Sequence, residues 1–346
     1  MRKNNIIILI LCFVIFTSEL RAQQIQPHQR FESAYKEILA MLEGKSTLSI
    51  KRSVFLAEWA YLDGNLDFEQ DFCVPLTKGA QYMRRLITAN KWEKYKTAKQ
   101  IALCTFFFQP LSGNNNTKFS YDFSNEYPDG DWHHQLVSRT LKTHSGQCHS
   151  LPWAFKLYAE ELGAKVYIAH APRHSFIMYK DEDNLFPEDW VNVEVTAQQY
   201  QPTWGIKEHF EIKDSAITVR TYLSPLTDKE TVACQLSDLA FAYYHKFSRF
   251  DEFTLNCVLK SLTYYKANPT AITIKYKSLE ALLLKHLETN GQLRDSFTDD
   301  INRRIAQCSD ELKATYWTED TEELEKRWSM SEEEINKIKN NIKYVK

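Results

Sequence analysis

The sequence predicts an α+β protein, in which a small antiparallel sheet and several helices precede an all-helical C-terminal region. Three observations support this fold class. Short apolar or alternating runs, typical of strands, cluster between residues 166 and 222, and the last two of them cover residues 206–212 and 216–222. Runs with apolar residues three or four positions apart, typical of amphipathic helices, occupy much of the chain before them. From residue 228 onward every pattern is helical.

Composition limits the classes of protein that this chain can belong to. A length of 346 residues suits two structural units, and a hydrophobic content of 43% is ample for a packed core. The formal net charge of −2 leaves no basic surface for a nucleic acid, so we expect no nucleic-acid partner.

The N-terminus has the pattern of a secretory signal peptide. Arg2 and Lys3 precede an apolar run, Ile6 to Phe16, that is too short to span a bilayer comfortably. We expect cleavage near Ala22 and a mature protein that is periplasmic or extracellular, with no transmembrane segment. Cys12 raises the alternative of a lipoprotein, but it lies inside the apolar run, whereas a lipid-modified cysteine normally ends one.

The segment around Cys148 has the features of a nucleophile site. The run from Leu151 to Leu162 has helical periodicity and ends at Gly163, which places Cys148 at or just before a helix N-terminus. Free backbone N–H groups and the positive end of the helix dipole favour a thiolate at such a position. Cys148 is therefore a candidate nucleophile.

Three predicted strands downstream supply a base and a third polar group. They cover residues 166–169, 174–179 and 190–196, and His174 opens the second of them. In the third strand, valines alternate with polar residues, so Asn192 and Glu194 share the face opposite the valines. A nucleophile, an imidazole and a carboxylate or amide in this order follow the logic of a catalytic triad. Glu194 and Asn192 are alternative third members.

These residues resemble a known family. Gly146-Gln147-Cys148 before a helix is similar to the Gly-Gln-Cys signature of transglutaminases, and the two later strands resemble the His and Asp strands of the papain-related superfamily. The likeness covers about residues 131–196 and is nearer to bacterial transglutaminase-like proteins than to animal cross-linking enzymes. It implies Cys148 as nucleophile, His174 as base and Glu194 as third member, in a fold that packs the cysteine helix on an antiparallel sheet. Glu194 stands where the family more often has Asp.

The resemblance implies acyl transfer without a cofactor or a metal. With water as acceptor the reaction hydrolyses a peptide or amide bond, which we favour; an amine acceptor would give cross-linking. The backbone N–H of Cys148, and Gln147 as a supporting residue, are candidates to bind the oxyanion. Trp132 is either a lining residue of the cleft or part of the core. His149 follows the cysteine, where the family usually has Trp.

Two other functions remain open from the sequence. Six histidines are dense around Cys148 and suggest a zinc site as an alternative, although Pro172 breaks the helical spacing between His170 and His174. A non-catalytic binding or scaffold protein is the other alternative, with an inactive cleft and a partner surface on the C-terminal helices.

The predicted organisation has four parts. Residues 1–22 form the signal peptide, and residues 23–225 form the transglutaminase-like domain with a helical N-terminal part. Residues 226–290 resemble a tetratricopeptide repeat, with small residues at Ala240 and Ala242 and Pro269 after the second helix. Residues 291–346 are a charged helical tail. We expect a peptide or protein substrate and, through the C-terminal helices, a protein partner.

Overall fold

The structure is a computed structural model that describes residues 26–125, 132–290 and 294–314. The predicted signal peptide and residues 315–346 of the predicted charged tail lie outside these residues. The α+β class is confirmed: the described chain combines many helices with a small antiparallel sheet and ends in an all-helical part. The α-helices are α1 Pro27–Leu42, α2 Ile50–Tyr61, α3 Val74–Ala89, α4 Ala98–Phe108, α5 Val137–Thr143, α6 Ser150–Leu162, α7 Thr203–His209, α8 Asp214–Thr218, α9 Asp228–Phe247, α10 Glu252–Tyr264, α11 Pro269–Thr289 and α12 Ser296–Ala314.

The strands form a four-stranded antiparallel sheet and a short parallel pair. The larger sheet has the order β3-β4-β5-β6, and its register sets Ile177 opposite Val193, which brings the start of β4 beside the end of β5. In the parallel pair, Tyr121 lies opposite Gly146. The strands are β1 Ser120–Tyr121, β2 Ser145–Gly146, β3 Tyr167–Ala171, β4 His174–Lys180, β5 Trp190–Glu194 and β6 Gln199–Gln201.

The sheet is covered on both faces, so the polar face predicted for β5 is not a solvated one. The β5 valines join the main apolar core, on the side of α6. The opposite face packs Phe176 and Met178 of β4 against Ile206 and Ile212 in a second, smaller core. Polar groups on that second face are therefore buried and need hydrogen-bond partners within the protein.

Two of the predicted strands are wrong. The segments 206–212 and 216–222 contribute the short helices α7 and α8 instead. Their β-branched residues suggested strands, but β propensity measures how well a side chain fits a half-buried pleated surface. Here Ile206, Ile212 and Ala216 are buried against the sheet from outside it. Before the cysteine segment, a 3-10 turn, Trp132–Gln135, precedes the short helix α5.

One continuous apolar cluster joins the N-terminal helices, the α6 helix and the C-terminal helices. It extends from Phe31 in α1 to Cys308 in α12. Within it, the rings of Phe107 and Phe119 stack with centroids 4.0 Å apart. The sequence change at Pro225 therefore marks the end of the sheet region but does not divide the core.

Successive helices from α9 to α12 pack against one another, and Asn268 ties the first three together. Its side chain is 1% exposed, and its oxygen caps α11 by accepting the Ala271 N–H at 3.2 Å. Its nitrogen donates to the hydroxyls of Ser237 in α9 and Ser261 in α10, at 3.0 Å each. None of the described helices combines the length and apolar character needed to cross a membrane.

We expect Asn268→Ala to lower the free energy of unfolding by about 2 kcal/mol, because it removes the cap of α11 and the buried amide donor that the Ser237 and Ser261 hydroxyls share. Urea unfolding measures the change. Asn256→Ala is the matched control on the exposed side of α10 and should change stability by less than about 0.5 kcal/mol. Equal effects of the two variants would contradict the role given to Asn268.

Candidate active site

Cys148 lies in the turn between β2 and α6. The Leu151 N–H donates to the Gln147 carbonyl at 3.0 Å, so the helical hydrogen bonds begin around the cysteine, as the sequence predicts. Gly146 leaves no room for a side chain, because a Cβ there would collide with the hydroxyl oxygens of Thr140 and Ser150. The turn is therefore held tightly against α5 and α6.

The β3–β4 hairpin brings the histidine to the cysteine. Ala171 pairs with His174 across a two-residue loop. Arg173 in this loop has a φ of +56°, a left-handed conformation that is uncommon for a residue other than glycine. Its carbonyl oxygen lies 3.8 Å from the Cys148 sulfur. The strained loop thus sets the start of β4 directly beside the cysteine turn.

His174 lies between Cys148 and Glu194. The antiparallel register places the end of β5 next to the start of β4, and Glu194 Oε2 lies 2.5 Å from His174 Nε2. The Cys148 side chain also interacts with this imidazole and helps to raise the pKa of His174.

The electrostatics of this arrangement favour a charged imidazole. Burial alone would lower the pKa of His174, but hydrogen bonds with Cys148 and Glu194, together with the charge of Glu194, raise it to about 10. His174 is therefore an imidazolium at neutral pH. A cation beside a cysteine stabilises the thiolate, which is the reactive form of the side chain.

Two residues to which the sequence analysis gave no role contact Glu194 and His174. Thr196 donates to Glu194 Oε1 from its backbone N–H at 3.1 Å and from its hydroxyl at 2.5 Å. Phe210 stacks on the His174 ring, with centroids 5.1 Å apart and planes 18° apart. The alternation of β5 did place Thr196 on the face of Glu194, but Phe210 follows α7, where we predicted a strand.

The other candidate residues lie apart from the imidazole or inside the core. Asn192 donates to Gln201 O at 3.1 Å and Thr203 Oγ1 at 3.0 Å, so its amide nitrogen supports the β5–α7 connection. Trp132 is 4% exposed and packs edge-on against Tyr61 in the main core. Of the two alternative third members, the structure brings Glu194 to His174.

Gln147 contributes to the shape of the cysteine turn. Its backbone N–H donates to Ser150 Oγ at 3.1 Å, and its side-chain oxygen accepts from Gln135 Nε2. The backbone N–H of Gln147 is therefore already engaged within the turn. Among the described residues, nothing accepts the backbone N–H of Cys148.

Asp122, which follows β1, connects this part of the chain to the strand before the cysteine turn. Its backbone N–H donates to Gly146 O at 2.8 Å. Its carboxylate accepts from Ser124, from His134 at 3.0 Å and from Arg139 at 2.8 Å. Although burial opposes the charge, these hydrogen bonds hold the pKa of Asp122 well below its usual range. Asp122 is thereby tied to β2, the strand that leads into Cys148.

Buried acidic groups link the cysteine turn to the helices. His149 Nε2 lies 3.7 Å from the Asp238 carboxylate of α9, and Glu58 of α2 accepts the N–H groups of Val137 and Ser138 at the start of α5. Burial raises the pKa of Asp238 and of Glu58 to about 7 each. Burial also lowers the pKa of His149 to about 4, so this histidine is neutral at neutral pH.

The zinc alternative finds no support in the described geometry. No group of three or more His, Cys, Asp or Glu side chains in the described ranges could hold a metal ion. His170 binds Ser175 Oγ through Nδ1 at 3.1 Å, and its Nε2 lies 3.9 Å from Cys234. The six cysteines of the described chain are free.

Comparison with known proteins gives no relative. No family model, no curated protein and no solved structure matches this chain significantly.

We expect Glu194→Gln to lower the pKa of His174 well below about 10, toward the ordinary imidazole value, because the variant keeps the shape of the side chain and removes its negative charge. An NMR titration of the histidine side chains measures this change. Glu208→Gln removes an exposed carboxylate from α7 nearby and should leave the titration of His174 unchanged. A His174 that titrates alike in wild type and Glu194→Gln would contradict the assigned contact.

Proposed function

We propose that this chain is an exported, transglutaminase-like acyl-transfer enzyme that hydrolyses a peptide or amide bond through Cys148, His174 and Glu194. The observation that supports it is the placement of His174, which lies 2.5 Å from the Glu194 carboxylate and follows Arg173, whose carbonyl oxygen is 3.8 Å from the Cys148 sulfur. This is the nucleophile, base and orienting group of a cysteine hydrolase.

The first half of the reaction forms a thioester. The Cys148 thiolate attacks the carbonyl carbon of the substrate, and the backbone N–H of Cys148 donates to the oxyanion that develops. The His174 imidazolium gives its proton to the departing nitrogen as the C–N bond breaks. Glu194 keeps the ring oriented and stabilises its positive charge while the proton is still present.

The second half releases the acyl group. Neutral His174 takes a proton from water, the water oxygen attacks the thioester carbon, and the C–S bond breaks to return the thiolate. An amine that reached the thioester first would give a transamidation product by the same step. Both outcomes share one acyl-enzyme, so a test that detects this intermediate covers them together.

We expect purified mature protein, incubated with a library of peptide amides, to form a covalent adduct on Cys148 and to release free amine. Intact-mass spectrometry detects the adduct, and an amine assay measures turnover. Cys148→Ala should abolish both, and Glu194→Gln should lower turnover by on the order of 10² or more, because the imidazole loses its orienting charge.

Cys73→Ala is the matched control, since Cys73 is the other partly exposed cysteine of the described chain, and this variant should retain wild-type turnover. Absence of any adduct across the library, together with a Cys148 thiol no more reactive than that of Cys73, would contradict the enzyme hypothesis. That result would favour the binding protein described above.

A further inference from the structure

The two oxygens of the Glu194 carboxylate have separate partners. Oε2 lies 2.5 Å from His174, whereas Oε1 accepts both the hydroxyl and the backbone N–H of Thr196. The glutamate is 9% exposed, so these partners stand in for the water that a surface carboxylate would bind. Thr196 is therefore the group that occupies the side of the carboxylate away from the imidazole.

A glutamate carboxylate needs more restraint than an aspartate carboxylate to keep a fixed orientation. Glutamate has one more rotatable bond than aspartate, and each freely rotating bond lets the carboxylate turn away from its target. Two donors from one residue fix both the position and the tilt of the carboxylate. Threonine suits this task because its β-branched side chain is stiff about χ1.

The turn that carries Thr196 is itself fastened to the cysteine side of the site. Gln198, with a φ of +57°, ends this turn. Its side chain donates to Phe119 O at 2.5 Å and accepts from Lys118 Nζ at 2.8 Å. Phe119 immediately precedes β1, which pairs with β2, the strand that leads into Cys148. The glutamate end and the cysteine end of the site are thus tied together outside the reacting groups.

We propose that Thr196 and Gln198 are positioning residues, which let a glutamate serve as third member by holding its carboxylate at a fixed place relative to both His174 and Cys148. The inference rests on the proposed function, since it concerns the orientation of the same three side chains. Neither residue exchanges a proton or contacts the thiol in this arrangement.

The test measures how fast iodoacetamide labels Cys148 at about pH 6 and at about pH 9, with the labelled peptide identified by mass spectrometry. At the lower pH an ordinary thiol is almost unreactive, so the rate depends on the imidazolium; at the higher pH most thiols are ionised without help. We expect Thr196→Val to slow labelling at about pH 6 by roughly fivefold, the worth of one hydrogen bond, with little change at about pH 9.

Four further variants distinguish a positioning role from a general loss of structure. Thr196→Ser keeps the hydroxyl and should restore most of the rate at about pH 6. Gln198→Ala should slow it by roughly two- to threefold, because the turn loses its fastening but Thr196 keeps its bonds. Ala197→Ser changes an exposed residue of the same turn and should label like wild type. Thr196→Ala probes the same hydroxyl if the valine variant does not fold.

The possible outcomes distinguish this inference from the proposed function. If wild-type Cys148 labels rapidly at about pH 6 and Thr196→Val labels equally fast, the positioning role is wrong while the proposed function stands. If wild type itself labels slowly at about pH 6, the proposed function fails first. If Thr196→Ser is as slow as Thr196→Val, the hydroxyl is not the group that matters, and the inference is again overturned.

Discussion

The Glu194 carboxylate lies 2.5 Å from the His174 imidazole and is largely shielded from water. The hydrogen-bond partners of the carboxylate and the pairing of β4 with β5 are the features that make this contact possible. A carboxylate removed from water must be paired and hydrogen-bonded, or its charge is too costly to keep. The imidazolium satisfies one oxygen and Thr196 the other. The antiparallel register between β4 and β5 makes the arrangement possible, because it brings the first residue of one strand beside the last residue of the other.

The helices that pack on the two faces of the sheet contribute differently to the site. On one side, α6 carries the cysteine turn and packs into the main core with the β5 valines. On the other, α7, α8 and Phe210 close the second core over the face that bears His174. Water is thereby excluded from one flat side of the imidazole, and the low dielectric strengthens its interaction with the carboxylate.

The C-terminal helices belong to the architecture of the site rather than to a separate appendage. Asp238 of α9 approaches His149, next to the nucleophile, and the buried Lys156 of α6 bonds Asp228 at the start of α9 at 3.0 Å. The same apolar cluster continues through these helices. We therefore expect the geometry around Cys148 to depend on the packing of α9 against α6.

Local patterns in the sequence place Cys148 at a helix start, His174 at the start of one strand, and Asn192 and Glu194 on one face of the next strand. They could not choose between Asn192 and Glu194, since alternation gives the face of a residue and not its partner across the sheet. Phe210 was missed because burial against the sheet overrode the β propensity of its segment. Asp238 and Glu58 come from distant helices and carry no local signal. The family resemblance itself stays a prediction.

The most direct measurement of the central claim is the ultraviolet absorbance of the thiolate, recorded as the difference between wild type and Cys148→Ser across a pH titration. An imidazolium–thiolate pair predicts a thiolate signal that is already present at about pH 6, and that weakens in the His174→Ala background. A signal that appears only near the ordinary thiol pKa of roughly 8.5, and is the same with and without His174, would contradict the pairing of Cys148 with His174.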